Sequence, residues 1–144
     1  FPYTTLFRSL DDQLALRPQA PTVLILHHPP FISGIGHMDR ERFINAAALE
    51  TVVARHPQVE RLLCGHLHRS MQRRFGGSLS CVCPGTSHQI VLDLQDAAPA
   101  HFNLEPAGYL LHRWDAQQGL VSHNGVFGDY PGPYPFYDAH GLID

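Results

Sequence analysis

The chain has 144 residues, 44% hydrophobic and 16% charged, which is enough apolar material for one compact core. Ten Lys and Arg against 13 Asp and Glu give a formal net charge of -3, which excludes a basic field for nucleic acid or an anionic membrane. The longest apolar runs fall far short of the roughly 20 residues that cross a bilayer, so we expect a soluble protein. Three cysteines cannot close a disulfide framework and favour a reducing, cytoplasmic location.

The first nine residues do not look like a natural start, because the chain begins with Phe1 rather than Met. Residues 1–9 resemble the in-frame translation of a sequencing adapter, and we interpret them as a non-native segment and exclude them from inferences about the fold. An ordinary processed N-terminus is the alternative. We therefore interpret residues 10–127 as a truncated domain of a longer protein and residues 128–144 as a tail rich in Gly, Pro and Tyr.

The first half of the chain predicts helix, strand, helix and strand. Residues 10–16 are typical of the end of a helix, which Pro18 stops because proline has no amide hydrogen to donate. Residues 22–27 form a continuous apolar run, as expected for a strand buried on both faces. Asp39 is expected to cap a helix whose apolar residues recur at helical spacing. Residues 59–64 predict a second buried strand.

The second half predicts antiparallel hairpins. Residues 71–75 and 79–82 flank Gly76-Gly77, a strong hairpin signal. A polar loop at residues 93–106 leads to a final hairpin between residues 109 and 123. A parallel pair followed by antiparallel strands indicates a mixed sheet in the α/β class.

Histidines are unusually frequent, with 11 in the chain, and three of them follow the two buried strands. His27 ends the first strand, while His66 and His68 lie in a loop that Gly65 opens after the second. In α/β sheets ligands bind at the carboxyl ends of strands, and neutral imidazole is a good ligand for transition metals. One such histidine is usually a hydrogen-bonded surface residue, but three converging from adjacent strand ends indicate a metal site.

Three motifs carry a resemblance to a known family. They are His27-His28-Pro29-Pro30, Cys64-Gly65-His66-Leu67-His68 and Pro84-Gly85-Thr86-Ser87-His88-Gln89. In this order and spacing they resemble the calcineurin-like metallophosphoesterases, above all the branch of bacterial glycerophosphodiesterases and class III 3',5'-cyclic-nucleotide phosphodiesterases. The resemblance implies that the chain is the C-terminal half of a four-layer α/β/β/α sandwich.

The resemblance also implies a binuclear site and a reaction. His27 and His66 would ligate the second of two divalent or trivalent metal ions, drawn from Fe, Mn, Co and Zn, and His68 would ligate the first. His88 would be the catalytic group that contacts the substrate phosphate, and His28 would help to bind the substrate. The implied reaction is hydrolysis of a small-molecule phosphodiester by a metal-activated hydroxide.

The family's other ligands are absent from this sequence. Its first half supplies an Asp-x-His pair, a metal-bridging Asp and a Gly-Asn-His-Asp/Glu motif, and none of these precedes His27 in this sequence, where the family has them. We therefore expect the longer parent to be an active metallohydrolase and this chain alone to be inactive.

Two other classes of function stay open on the sequence. The three histidines that follow the strands could hold one ion in a non-catalytic metal-binding module, although a structural zinc site normally has four protein ligands. The aromatic tail could instead dock on a second subunit, making the protein a homo-oligomer. Arginines 69, 73 and 74 form a small basic cluster, which a solvated strand face explains better than phosphate attraction.

Overall fold

The computed structural model describes residues 2–142 as a mixed α/β arrangement of helices and strands. The helices are α1 (Pro2–Ala15), α2 (Gly36–Asp39) and α3 (Ala46–Ala54). The strands are β1 (Thr22–Leu26), β2 (Val59–Cys64), β3 (Met71–Phe75), β4 (Ser78–Val82), β5 (Gln89–Ile90), β6 (Phe102–Asn103), β7 (Gly108–Asp115), β8 (Gly119–Val126), β9 (Tyr137–Asp138) and β10 (Gly141–Leu142). None of the described helices has the length and apolar character needed to cross a membrane.

The main sheet has four strands in the order β1, β2, β4, β3. β1 pairs with β2 in parallel, β2 pairs with β4 in parallel, and β3 runs antiparallel to β4. The register aligns Leu26 with Cys64 and Cys64 with Val82. The carboxyl ends of three strands therefore lie side by side at one edge of the sheet, and this confirms the predicted mixed sheet.

Two helices cover one face of the sheet and form the main core with it. Leu24 and Leu26 of β1 pack against this core. Its buried members come from α1, α3, β2 and β3: Phe7, Leu14, Leu49, Val52, Val53, Val59, Leu62 and Phe75. A second cluster of Cys64, Leu67 and Val82 lies where the three strands end. Removing these apolar groups from water stabilises the strand ends on which the candidate site depends.

The prediction that β1 is buried on both faces is wrong. Ile25 is 80% exposed and Val23 is 38% exposed, whereas their neighbours on the strand face the core. β1 is an edge strand of this sheet, and its odd-numbered side chains point to a face that the described residues leave open. A continuous apolar run predicts a strand correctly but cannot say what covers each face.

The prediction that Asp39 caps the following helix is also wrong. Asp39 is the last residue of α2, and its carboxylate accepts hydrogen bonds from the backbone N–H groups of Ser33 and Gly34, both at 2.8 Å. The Ser33 hydroxyl donates a third bond at 2.9 Å. The helix begins later, at Ala46, after Asn45 in the left-handed conformation. The Asp39 carboxylate bonds to the preceding loop because two backbone N–H groups of that loop lie within hydrogen-bonding distance. The first residue of α3 comes seven residues later in the chain.

Both predicted hairpins are present. Gly76 (φ 58°) and Gly77 (φ 86°) connect β3 to β4 in a backbone conformation that favours glycine. A Cβ at Gly76 would also lie 2.8 Å from Val53, so the turn packs directly on α3. The final hairpin of β7 and β8 is longer than predicted. The predicted polar loop is interrupted, because β6 pairs with β5.

Polar side chains of β2 attach the final hairpin to the main sheet. The guanidinium of Arg61 donates to the Ser122 hydroxyl and to the Leu120 carbonyl, both at 2.8 Å. The indole N–H of Trp114 donates to the Glu60 carboxylate at 3.1 Å. The same strand therefore holds the hairpin through its middle residues and leads into the histidine loop at its end.

The helix α1 includes the segment interpreted above as non-native. It runs from Pro2 to Ala15, so the predicted helix end is confirmed, and Phe7 packs in the core at 9% exposure. The origin of residues 1–9 stays a prediction. Further along α1, Asp11 lies 2.6 Å from Nε2 of His56 and 2.7 Å from Nη2 of Arg55, which connects α1 to the end of α3.

This ion-pair cluster predicts an acid-sensitive contribution to stability. Hydrogen bonds from His56 and then Arg55 lower the pKa of Asp11 below its ordinary value of 3.8. A carboxyl whose pKa is lower in the folded state stabilises the fold above its unfolded pKa, and that stability is lost as the pH falls through the folded value. Asp11→Asn should therefore lower the urea midpoint at pH 7, and the deficit should shrink as the pH falls below about 4.

The matched control is Asp12→Asn, because Asp12 is adjacent on α1 and exposed. The urea midpoint of Asp12→Asn should equal that of the parent both at pH 7 and in the acidic range below about 4. Equal midpoints for Asp11→Asn and the parent at pH 7 would contradict a stabilising role for this cluster.

Candidate metal and phosphate site

Three loops that follow the parallel strands meet at one edge of the sheet. The N–H of Gly65 donates to the His27 carbonyl at 3.0 Å, and the N–H of Cys83 donates to the Cys64 carbonyl at 2.9 Å. These bonds continue the parallel ladder one step beyond the strands. They hold the first residues of each loop in register, so the side chains that follow start from fixed positions.

His27, His28 and His66 come together at this edge. One potential ligand atom from each lies within 4.8 Å of the others. The ring centroids are 4.0 Å apart for His28 and His66, 4.9 Å for His27 and His28, and 5.3 Å for His27 and His66. Within the described part of the chain this group holds imidazoles only, without a carboxylate. Its donor set suits Zn²⁺ and other transition metals.

The loop that carries His66 and His68 has an unusual backbone. Both residues have positive φ angles, 65° and 48°, which side-chain-bearing residues seldom adopt. Leu67 between them is only 2% exposed and packs in the second core cluster. Burial of Leu67 holds the loop, and the left-handed residues on either side of it are half-buried. Backbone strain of this kind concentrates at functional sites.

Burial and neighbouring histidines favour the neutral form of His66. The pKa of His66 is lowered first by burial and then by the proximity of His28 and His27, while Glu41 opposes the shift. Its Nε2 is buried without a hydrogen-bond partner among the described residues. A neutral ring with an unpartnered nitrogen is the form of histidine that binds a metal, so the residues present fit a metal ion.

His68 does not join this group and lies against His88 instead. Their ring centroids are 4.5 Å apart, and the His88 ring also contacts Phe102 at 4.9 Å. A hydrogen bond of 3.0 Å links Nδ1 of His88 to the Ser87 hydroxyl. Nδ1 of His68 is buried and has no partner among the described residues. The five histidines singled out in the sequence thus form a group of three and a neighbouring pair.

Gln89 holds the turn that carries His88. Its side-chain oxygen accepts from the N–H of Gly85 at 3.0 Å, and its side-chain nitrogen donates to the Gly85 carbonyl at 2.8 Å. The nitrogen also contacts the Pro106 carbonyl at 3.4 Å. Gln89 is 4% exposed, so these backbone groups are satisfied by the amide rather than by water. The sequence motif included this glutamine but gave no signal of its structural role.

Gly85 lies where the turn of His88 approaches the loop of His68. A Cβ at this position would lie 2.1 Å from the His88 carbonyl oxygen and 3.1 Å from Nδ1 of His68. Any larger residue would push the turn away from the His68 loop. The absence of a side chain at Gly85 therefore allows the pair of His68 and His88 to form.

Two of the three arginines of the basic cluster are engaged in ion pairs. Arg69 pairs with both carboxylate oxygens of Glu105, at 3.2 and 3.0 Å, and donates to the Ile90 carbonyl. Arg69 and then Asn103 lower the pKa of Glu105. Arg73 lies 3.7 Å from Glu50 on the other side of the sheet edge. These contacts support the interpretation of the cluster as a structural and solvated face.

Comparison with known proteins gives several relatives. The chain is 39% identical over 137 residues to the protein named "Probable glycerophosphodiester phosphodiesterase" in Arcobacter nitrofigilis, covering 94% of the chain and 50% of the relative. It is 31% identical over 131 residues to a glycerophosphodiester phosphodiesterase of Enterobacter lignolyticus, covering 91% and 46%. It is 38% identical over 80 residues to the 3',5'-cyclic adenosine monophosphate phosphodiesterase of Escherichia coli K12, covering 56% and 29%. No protein-family model matches the chain.

Three relatives that the chain matches along more than nine tenths of its own length are named phosphodiesterases. These similarities support the resemblance to the glycerophosphodiesterase and cyclic-nucleotide phosphodiesterase branch of the metallophosphoesterases. The chain spans about half the length of the glycerophosphodiesterases it matches.

The contacts of Gln89 predict the effect of one isosteric substitution. In Gln89→Glu the carboxylate could still accept from Gly85, but it would face two carbonyl oxygens with no hydrogen to donate. The Gly85 carbonyl keeps its bond from the N–H of Gly108, but a carboxylate buried against these carbonyl oxygens should still lower the free energy of unfolding by about 1–3 kcal/mol. Gln72→Glu is the control, because Gln72 is exposed on β3. Urea denaturation measures both, and equal stability of Gln89→Glu and the parent would contradict the assigned hydrogen bonds.

Proposed function

We propose that the protein to which this chain belongs hydrolyses small phosphodiesters with the help of bound metal ions. The observation that carries the proposal is the group of His27, His28 and His66, whose ligand atoms lie within 4.8 Å of one another at the ends of β1 and β2. The names of the relatives support it, since they describe phosphodiesterases of glycerophosphodiesters and of cyclic adenosine monophosphate.

The proposed whole protein is a four-layer α/β/β/α sandwich, of which this chain would be the C-terminal half. The family resemblance and the length of the relatives support this architecture. The exposed face of β1, with Ile25 at 80% exposure, is a surface on which such a further layer would lie. In this arrangement the missing half would bring carboxylate and amide ligands to the histidines.

The proposed site holds two metal ions, with iron, manganese, cobalt and zinc as the candidates. His27 and His66 would hold one ion and His68 the other. Bound metal ions in such sites lower the pKa of a water and polarise phosphoryl oxygens. The histidines would bind the metal ions in their neutral form, and the lowered pKa of His66 favours that form of its ring.

In this proposal His88 binds the substrate phosphate. The Ser87 hydroxyl engages Nδ1 of His88, which leaves Nε2 to face a phosphoryl oxygen. Phe102 and His68 flank the ring and fix its plane. A positioned imidazole can donate a hydrogen bond to the charge that develops on the phosphate, and such donors act most strongly in transition states. His28 would line the same pocket.

We propose that the chain by itself does not turn over substrate, because its histidine group lacks a carboxylate among the described residues. The proposed location of the whole protein is the cytoplasm, and its partner is a small phosphodiester rather than a nucleic-acid polymer or a membrane. The exposed aromatic side chains of the tail would supply a contact between subunits. They are Tyr130, Tyr134, Phe136 and Tyr137, each at least 63% exposed.

An assay of the longer gene tests this function. The reading frame upstream of Leu10 should be recovered from the source DNA, and the extended protein should be expressed and freed of metal with a chelator. We expect it to hydrolyse bis(p-nitrophenyl) phosphate when Mn²⁺ is restored, and the 144-residue chain to show no turnover under the same conditions. Glycerophosphocholine and cyclic AMP as alternative substrates would then distinguish the two activities named for the relatives. An inactive, folded and metal-loaded extended protein would overturn the proposal and favour the non-catalytic metal-binding module.

Substitution of one ligand tests the assignment within the extended protein. His66→Ala should lower metal occupancy and turnover together, by at least about tenfold, since even outer partners of metal ligands affect affinity that much. His123→Ala is the control, because His123 is exposed on β8. Occupancy is read by elemental analysis after desalting. Unchanged turnover in His66→Ala would remove His66 from the ligand set.

A further inference from the structure

We propose that the exposed ring of Phe102 forms an apolar platform beside His88 for an ester group of the substrate, so that the site prefers phosphodiesters whose ester group carries an aromatic ring. The inference rests on the proposed function, because it takes His88 as the group that binds the phosphate. It goes further in naming the chemical class of the ester group and the residue that recognises it. Phenyl esters and nucleosides belong to this class.

The pairing of two short strands brings Phe102 to His88. β5 begins at Gln89, the residue after His88, and β6 pairs Phe102 with Ile90. Because neighbouring residues of a strand point to opposite faces, Phe102 lies on the face opposite to the buried Gln89. The rings of Phe102 and His88 are in contact, with centroids 4.9 Å apart and planes at 57°. A group bonded to a phosphate at His88 therefore lies within reach of the Phe102 ring.

Phe102 is largely open to solvent although its side chain is large and apolar. It is 63% exposed, and apolar area in contact with water is unfavourable. Aromatic pairs prefer offset-stacked or edge-to-face geometry with centroids roughly 4.5–7 Å apart. The contact with His88 leaves most of the Phe102 surface free for a second aromatic partner. An aromatic ester group of the substrate would cover this surface.

The ribbon of β5 and β6 is anchored on both strands, which fixes Phe102 before any substrate binds. Arg69 donates to the carbonyl of Ile90, the residue opposite Phe102, and pairs with both carboxylate oxygens of Glu105. The side-chain amide of Asn103 donates to the same carboxylate at 2.7 Å. A side chain that is already ordered loses little entropy when a ligand binds. These contacts therefore favour recognition by Phe102.

The same segment brings a second exposed apolar side chain to the histidines. Leu94 is 62% exposed and would lie 3.4 Å from a Cβ at Gly34, in the loop that follows His28. The segment that connects β5 to β6 thus reaches the loop of His28 at one point and His88 at another. An apolar side chain lies at each of these points, which favours an apolar ester group over a hydrated one.

Kinetic comparison of two substrates in the extended protein, with metal restored, tests the platform. Phe102→Ala should lower kcat/KM for bis(p-nitrophenyl) phosphate at least about fivefold, mainly through a higher KM. The same variant should leave kcat/KM within about twofold for glycerophosphoglycerol, which has neither an aromatic ring nor a cation to bind one. Phe102→Tyr, which keeps the ring, should retain the selectivity of the parent.

Phe127→Ala is the matched control, because Phe127 is 53% exposed and contacts Tyr109 instead of His88. Its ratio of kcat/KM for the two substrates should equal that of the parent. In Phe102→Ala, an equal change for both substrates or an unchanged kcat/KM for bis(p-nitrophenyl) phosphate would overturn the inference.

Binding without turnover keeps the test decisive if the extended protein is inactive. By calorimetry, the parent should bind phenyl phosphate at least about fivefold more tightly than methyl phosphate, and Phe102→Ala should remove this difference. Phe102→Leu replaces Phe102→Ala if the latter does not fold, and it should reduce the difference. Unfolding of both variants would show that Phe102 packs against the missing half, and would overturn the inference.

Three binding results would also overturn it: no binding of either phosphate, equal affinity of the parent for both, or an undiminished preference in the folded variants. An inactive extended protein that still prefers phenyl phosphate through Phe102 would overturn the proposed function and leave the platform in place.

Discussion

Parallel pairing of β1, β2 and β4 is the constraint on which the candidate site depends. Because parallel strands end at the same edge of a sheet, residues far apart in the chain follow Leu26, Cys64 and Val82 as immediate neighbours. Two backbone hydrogen bonds extend that alignment into the loops, from Gly65 and from Cys83. The loops therefore need only short, local features to orient their side chains. In one loop this is the burial of Leu67 between two left-handed residues, and in another it is the amide of Gln89.

The histidines at this end of the sheet form two groups that share one loop. His66 faces His27 and His28, whereas His68, two residues later, faces His88. The two histidine side chains of this tight loop point in different directions. One joins a group suited to a metal ion, and the other joins a pair suited to a phosphate. The lowered pKa of His66 belongs with the first group, since burial and neighbouring imidazoles disfavour protonation there. This division is the physical basis for assigning different tasks to histidines that are close in sequence.

Much of this arrangement could be predicted from the sequence, because it depends on local patterns. The apolar runs predicted β1 and β2, and Gly76-Gly77 predicted the hairpin of β3 and β4. The histidines after the strands predicted a convergence at the strand ends, which His27 and His66 show, while metal binding there stays a prediction. Other features depend on long-range packing and could not be predicted. The open face of β1 depends on what covers the sheet. The carboxylate of Asp39 accepts hydrogen bonds from N–H groups of the preceding loop, whereas the local pattern predicted that it would cap a helix. The inclusion of His28 in the group depends on ring directions, which spacing alone does not set.

The attachment of the final hairpin to β2 has a consequence for how the molecule opens. Glu60 and Arg61 bind the hairpin, and three residues later Cys64 begins the loop of His66. β2 is also the strand that lies between two parallel partners, so it has no free edge within the main sheet. Local unfolding of a protein proceeds in cooperative units, and a strand bound on both sides and along its face opens late. The hairpin is distant from the histidines along the chain, but its hydrogen bonds to β2 stabilise the strand that leads into the loop of His66. Opening of the β7 and β8 hairpin would therefore make that loop less rigid.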